Sequence, residues 1–91
     1  MKEYVVLICY DDENEDYRYV SFHNAILHYT KVCTLSVSQL KKRSIIGYAF
    51  LEKDDSGKYQ IVDRYVVNMI DVHAVYSTID CFIEGNYDER N

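Results

Sequence analysis

The residues able to do chemistry in this chain fall into three groups. Five carboxylates stand within six positions, Asp11-Asp12-Glu13-Asn14-Glu15-Asp16, with Tyr10 before them and Tyr17 and Tyr19 after. Crowded carboxylates repel one another and seek water, so the run reads as a solvated turn. Tyrosines beside it add large ring area at low conformational-entropy cost, and acid plus ring suits contact with a basic protein surface. Asp11, Asp12, Glu13, Glu15, Asp16, Tyr17 and Tyr19 are therefore the candidate partner-binding residues. The second group is cationic: Lys41-Lys42-Arg43 closes a short amphipathic segment, where it could meet nucleic-acid phosphates. The third group is Cys9, Cys33 and Cys81 with His23, His28 and His73. No C-x-x-C or H-x-x-x-H pair occurs among them, so no metal site is expected.

Catalysis asks for convergent groups with positioned partners. The three glycines stand singly, so no Gly-rich phosphate loop is present. There is no G-x-S-x-G elbow and no Cys/His nucleophile pattern. His73 falls on an apolar stripe and is expected in the core, while His23 and His28 are expected at helix surfaces. The chain is read as non-catalytic, with no cofactor. Its three cysteines are odd in number and widely spaced among apolar neighbours. That is not a disulfide framework, and it suggests three buried thiols in a reducing cytosol.

The elements that must hold these groups follow from periodicity. Segment 3–10 is a continuous apolar run, which suits a strand covered on both faces. With 17–21 it forms an antiparallel hairpin whose tip is acidic. From Phe22 the period becomes helical: Phe22, Ala25, Ile26, Tyr29, Val32 and Cys33 make one stripe over 22–33, with Ser21 as N-cap. His28 and Lys31 fall on its wetter side. Ser36-Val37-Ser38-Gln39 is a capping box with Leu35 and Leu40 as a hydrophobic staple, predicting a helix over 37–43 that starts at Val37. Segments 45–52 and 58–62 form a second hairpin, turning at Lys53-Asp54-Asp55-Ser56-Gly57. Over 63–80, Val62, Tyr65, Val66, Met69, Ile70, His73 and Tyr76 recur at helical spacing and Asp63 is available as a cap. The Val and Ile content of that stretch pulls towards strand instead. The expected assignment is helix, with 84–91 a flexible tail.

Composition sets the frame. Ninety-one residues with 48% hydrophobic and 27% charged fit one small soluble domain, able to bury roughly 60% of its unfolded surface. The fold expected is α+β: a small antiparallel sheet of about four strands with two or three helices packed on one face. Its core should include Val6, Ile8, Phe22, Ile26, Leu40, Ile46, Phe50 and Ile61. Ten Lys and Arg against 15 Asp and Glu leave a net charge of -5, which opposes phosphate binding unless the acids lie elsewhere. No apolar stretch approaches the roughly 20 residues a membrane helix needs. Met1-Lys2-Glu3-Tyr4 places an acid before a run too short for a signal-peptide core, so a cytoplasmic site of action is expected.

Two resemblances bear on function. Leu35-Ser36-Val37-Ser38-Gln39-Leu40, preceded by a helix and followed by Gly47-Tyr48-Ala49-Phe50, resembles the small helix-turn-helix repeats found beside phage homing endonucleases. It covers about a third of the chain. It departs from them at His28-Tyr29 and Thr34, where those repeats carry a small-residue pair and a turn glycine. In size and composition the chain resembles the small acidic inhibitors that phages and mobile elements encode against host nucleic-acid machines, anti-CRISPR proteins among them. The leading expectation is a stoichiometric protein-binding inhibitor or regulator acting on a basic, nucleic-acid-binding protein. The alternative is a small DNA-binding protein using Lys41, Lys42 and Arg43. Exposed sheet edges and surface tyrosines could also pair two copies into a homodimer.

Overall fold

The structure, a computed structural model, describes residues 2–85. Four strands, β1 (Glu3–Tyr10), β2 (Asn14–Tyr19), β3 (Ile45–Lys53) and β4 (Tyr59–Val66), form one antiparallel sheet in the order β2-β1-β3-β4. Helices α1 (Phe22–Cys33) and α2 (Val37–Lys42) connect β2 to β3. A 3-10 turn (Met69–Asp71) and α3 (Val72–Glu84) follow β4. The α+β class and the four-stranded antiparallel sheet expected from the sequence are present. Two helices, α1 and α2, share one face as expected, and α3 covers the other. Successive residues of a strand point to opposite faces. Val6, Ile8, Tyr48 and Phe50 pack under α1 and α2 with Ala25, Tyr29, Val32 and Leu40. Val5, Leu7, Cys9, Ala49 and Leu51 pack under α3 with Val75, Ile79 and Phe82. The central strands are apolar on both faces, so both need a cover.

The largest correction falls on 63–80. Asp63 to Val66 extend β4 rather than starting a helix, and α3 begins only at Val72. A register shift between Phe50 and Leu51 leaves Val62 as an extra residue in β4. The α3-facing positions therefore run Tyr59, Ile61, Arg64 and Val66, and one spacing of two becomes three. Of the stripe that reads as helical, Val62 is the extra residue, Tyr65 pairs with Tyr48 on the α1 side and Val66 with Gly47 on the α3 side, so these residues do not share a face. The true stripe is Val75, Ile79 and Phe82, while His73 and Tyr76 are exposed. His73 is no core histidine. Phe22 (52% exposed) and Ile61 (36%) also leave the expected core, the first at the margin of α1 and the second on an edge strand. Of the thiols only Cys9 is buried; Cys33 ends α1 in an exposed position and Cys81 is half-buried. Of the tail expected over 84–91, Glu84 belongs to α3 and Gly85 caps it at φ 80; 86–91 lie outside the described residues.

Candidate functional site

The β1–β2 hairpin carries the acidic group, and the structure divides it. Asp11, Asp12 and Glu13 form the turn and are exposed, closed by the Tyr10 amide donating to the Glu13 carbonyl at 2.8 Å. Glu15 and Asp16 belong to β2 instead, because pairing with β1 starts at Asn14 rather than at Tyr17 and stops at Tyr19. On an edge strand both carboxylates keep access to water while their backbone joins the ladder. Glu15 lies opposite Ile8 on the α1 side. Its Oε1 accepts from the hydroxyls of Tyr10 at 3.0 Å and Tyr17 at 2.7 Å. Asp16 lies opposite Leu7 on the α3 side, and its Oδ2 accepts from Arg18 Nε at 2.9 Å. The Arg18 guanidinium also stands 5.3 Å from the centre of the Phe82 ring.

Behind the strand sits His28, which the helical pattern assigned to the wetter side of α1. Its position three after Ala25 and four before Val32 puts it on the margin of the buried stripe, turned towards β2. The Tyr19 hydroxyl and His28 Nδ1 share a hydrogen bond of 2.7 Å, and the Tyr17 ring meets the imidazole edge-on at 4.7 Å. Burial lowers the imidazole's pKa, and the Lys31 charge lowers it further. A neutral ring at physiological pH fits this seat. Burial, then the Glu15 carboxylate, pushes the Tyr10 hydroxyl up to about 12. For Tyr17 the hydrogen bond to Glu15 is the larger cause of a raised value. Tyr17 remains 37% exposed, whereas Tyr19 is half-buried and engaged with α1.

The cationic group forms as the capping box predicts. Ser36 Oγ accepts from the Gln39 amide at 3.1 Å, and Gln39 Oε1 accepts from the Ser36 amide at 2.9 Å. Lys41 and Lys42 close α2, Arg43 caps it, and all three are exposed. Where this end lies is set by the chain path and not by its own residues. The Asp11 amide donates to the Ser44 carbonyl at 3.0 Å, which ties the acidic turn to the residue after the basic one. Asp11 and Lys41 line the same hollow of about 130 Å³. Acid and base therefore share one end of the molecule, and the acids do not lie elsewhere as phosphate binding would prefer.

Among the described residues no three His, Cys, Asp or Glu side chains gather as metal ligands. Among them, too, no helix is long and apolar enough to cross a membrane. Comparison with protein-family models, curated proteins and solved structures finds no match to this chain.

Proposed function

We propose that the protein is a non-catalytic, stoichiometric inhibitor or regulator, working in the cytoplasm, whose acidic hairpin engages a basic surface on a nucleic-acid-binding partner. The observation that carries this reading is the presentation of Asp11, Asp12 and Glu13. They are three consecutive exposed carboxylates on a turn held from both sides, by the Tyr10–Glu13 bond and by the Asp11–Ser44 bond. A fixed turn spends little conformational entropy on docking, and concentrated negative charge accelerates encounter with a positive surface. Tyr17 offers its partly exposed ring beside the acids, with Tyr19 holding the strand to α1. Glu15 and Asp16 add charge along the edge, each already shared with a neighbour. The size and acidity of the chain support an inhibitor of the phage or mobile-element kind.

The test is capture from the source cells by the wild-type chain and by Asp11→Asn/Asp12→Asn/Glu13→Gln, with mass spectrometry of both. Basic nucleic-acid-binding proteins retained by wild type, released by salt and missing from the variant are expected. Identical captures would end the reading. A second reading is favoured by one observation: Lys41, Lys42 and Arg43 are exposed at the end of a capped helix. As a DNA-binding element they should give duplex affinity that falls steeply with salt and disappears in Lys41→Glu/Lys42→Glu/Arg43→Glu. Fluorescence anisotropy without any salt-sensitive binding would eliminate it.

A further inference from the structure

Two features at the α2 end of the molecule contain none of the five hairpin acids. The first is a knob. Met69 and Ile70 are 80% and 83% exposed, the most exposed large apolar side chains among the described residues. They are not on a loose loop. The Asn68 side chain accepts from the Ile70 amide at 3.2 Å, the Asp71 amide donates to the Asn68 carbonyl at 2.9 Å, and the Val67 amide donates to the Ile46 carbonyl at 2.9 Å. A rigid turn that holds two adjacent apolar side chains in water, with the Asp71 carboxylate following, has the form of a docking anchor.

The second feature is a groove of about 360 Å³ between α1, the end of α2 and the end of β1. Ile8, Val32, Leu35 and Ile45 give it an apolar floor, and Lys31 and Arg43 stand on its rim as cations. An apolar segment carrying a carboxylate matches such a groove. Met69-Ile70-Asp71 is such a segment. The hollow beside the 3-10 turn, lined by Asn68 and Asp71, also has Lys41, Ser44 and Ile45 in its walls, and Ile45 is shared with the groove, so both hollows lie at the α2 end of the molecule. A chain that carries both a knob and a groove complementary to it can pair about a two-fold axis, each copy giving and receiving one knob.

We propose that the protein forms a two-fold homodimer in which Met69 and Ile70 of each copy enter the groove of the other and Asp71 meets Lys31 and Arg43. This pairing uses neither sheet edge; the groove also has Tyr10 and His28 in its walls, which back the acidic hairpin, but the substitutions below touch none of the five hairpin acids. The full chain, 10.8 kDa as a monomer, should double its mass as concentration rises from low micromolar to near millimolar in sedimentation equilibrium. Ile70→Asp, at an exposed site that leaves the fold intact by circular dichroism, should weaken self-association by about tenfold or more. Charge reversal gives the sharper arm. Asp71→Lys alone and Lys31→Glu/Arg43→Glu alone should each be monomeric, because like charges then face each other at both contacts. An equimolar mixture of the two should dimerise, because both contacts become opposite in sign. A wild type that stays monomeric throughout, a dimer indifferent to Ile70→Asp, or a mixture that stays monomeric would each overturn the proposal.

Discussion

At the scale of residues, hydroxyls buried against carboxylates make this protein sensitive to alkali. Burial and then the Glu3 carboxylate push Tyr59 up to about 12, Tyr10 is raised to about 12, and burial pushes the Cys9 thiol up to about 12. Tyr29 and Tyr48 are raised further, by burial first and then by Asp63 and Cys33 respectively. Each group is an acid whose folded pKa lies above its unfolded one. Its contribution is complete below the unfolded pKa, about 9 for the thiol and about 10 for the phenols, and is lost as pH rises towards 12. Circular dichroism and phenolate absorbance followed together from pH 7 to 12 should therefore show these tyrosines ionising only as the fold is lost. A single curve of freely titrating tyrosines in a folded chain would contradict this. Tyr29→Phe removes the bond its hydroxyl donates to Asp63 at 2.7 Å. Asp63 sits exposed on an edge strand and can turn to water, so the cost should be about 1 kcal/mol, seen as a lower urea midpoint at unchanged slope. The acids were legible as a charged turn from residue type alone. That Glu15 and Asp16 would leave the turn for opposite faces of a strand was not, because their partners Tyr10, Tyr17 and Arg18 follow from register.

At the scale of elements, short-range chemistry was the most readable. Helix α2 starts at Val37 as its capping box requires, and Ser36→Ala should cost about 1 kcal/mol in a helix of six residues. The end of that helix was harder to see. Ser44 holds φ 62, a left-handed conformation where glycine is at ease and a side chain is strained. Ser44→Gly should raise the stability measured by urea unfolding by about 0.5–1 kcal/mol. A loss of stability would mean the serine side chain does more than bear strain. Gly47 answers to a different need, lying mid-sheet in β3 and not at an edge. A Cβ there would come within 2.7 Å of Val75 Cγ2 and 2.8 Å of the Tyr65 carbonyl oxygen. Gly47→Ala should destabilise by about 2 kcal/mol or more, because the backbone of β4 cannot give way as a side chain could. The approach of α3 that makes glycine necessary is a long-range contact. Val62, Tyr65 and Val66 disguised it further, standing at helical spacing in the sequence while facing different ways in β4.

At the scale of the whole molecule, the continuous apolar run of β1 already called for cover on both faces, which α1 and α2 supply on one side and α3 on the other. Local patterns name elements; which face each covers depends on chain paths that no window of sequence contains. The same long-range placement brings the acidic turn beside Lys41–Arg43, and it makes the turn a fixed feature rather than a loose loop. We propose that this turn steers the protein to a basic partner. That steering is tested most directly by surface plasmon resonance on the captured partner, comparing wild type with a chain in which Asp11, Asp12, Glu13, Glu15 and Asp16 are replaced by Asn and Gln. The association rate constant should fall by about tenfold at low salt while dissociation and the far-UV spectrum stay nearly unchanged, and added salt should close the gap. Equal association rates for the two chains at low salt would contradict the account and leave the hairpin tip as a solvated turn.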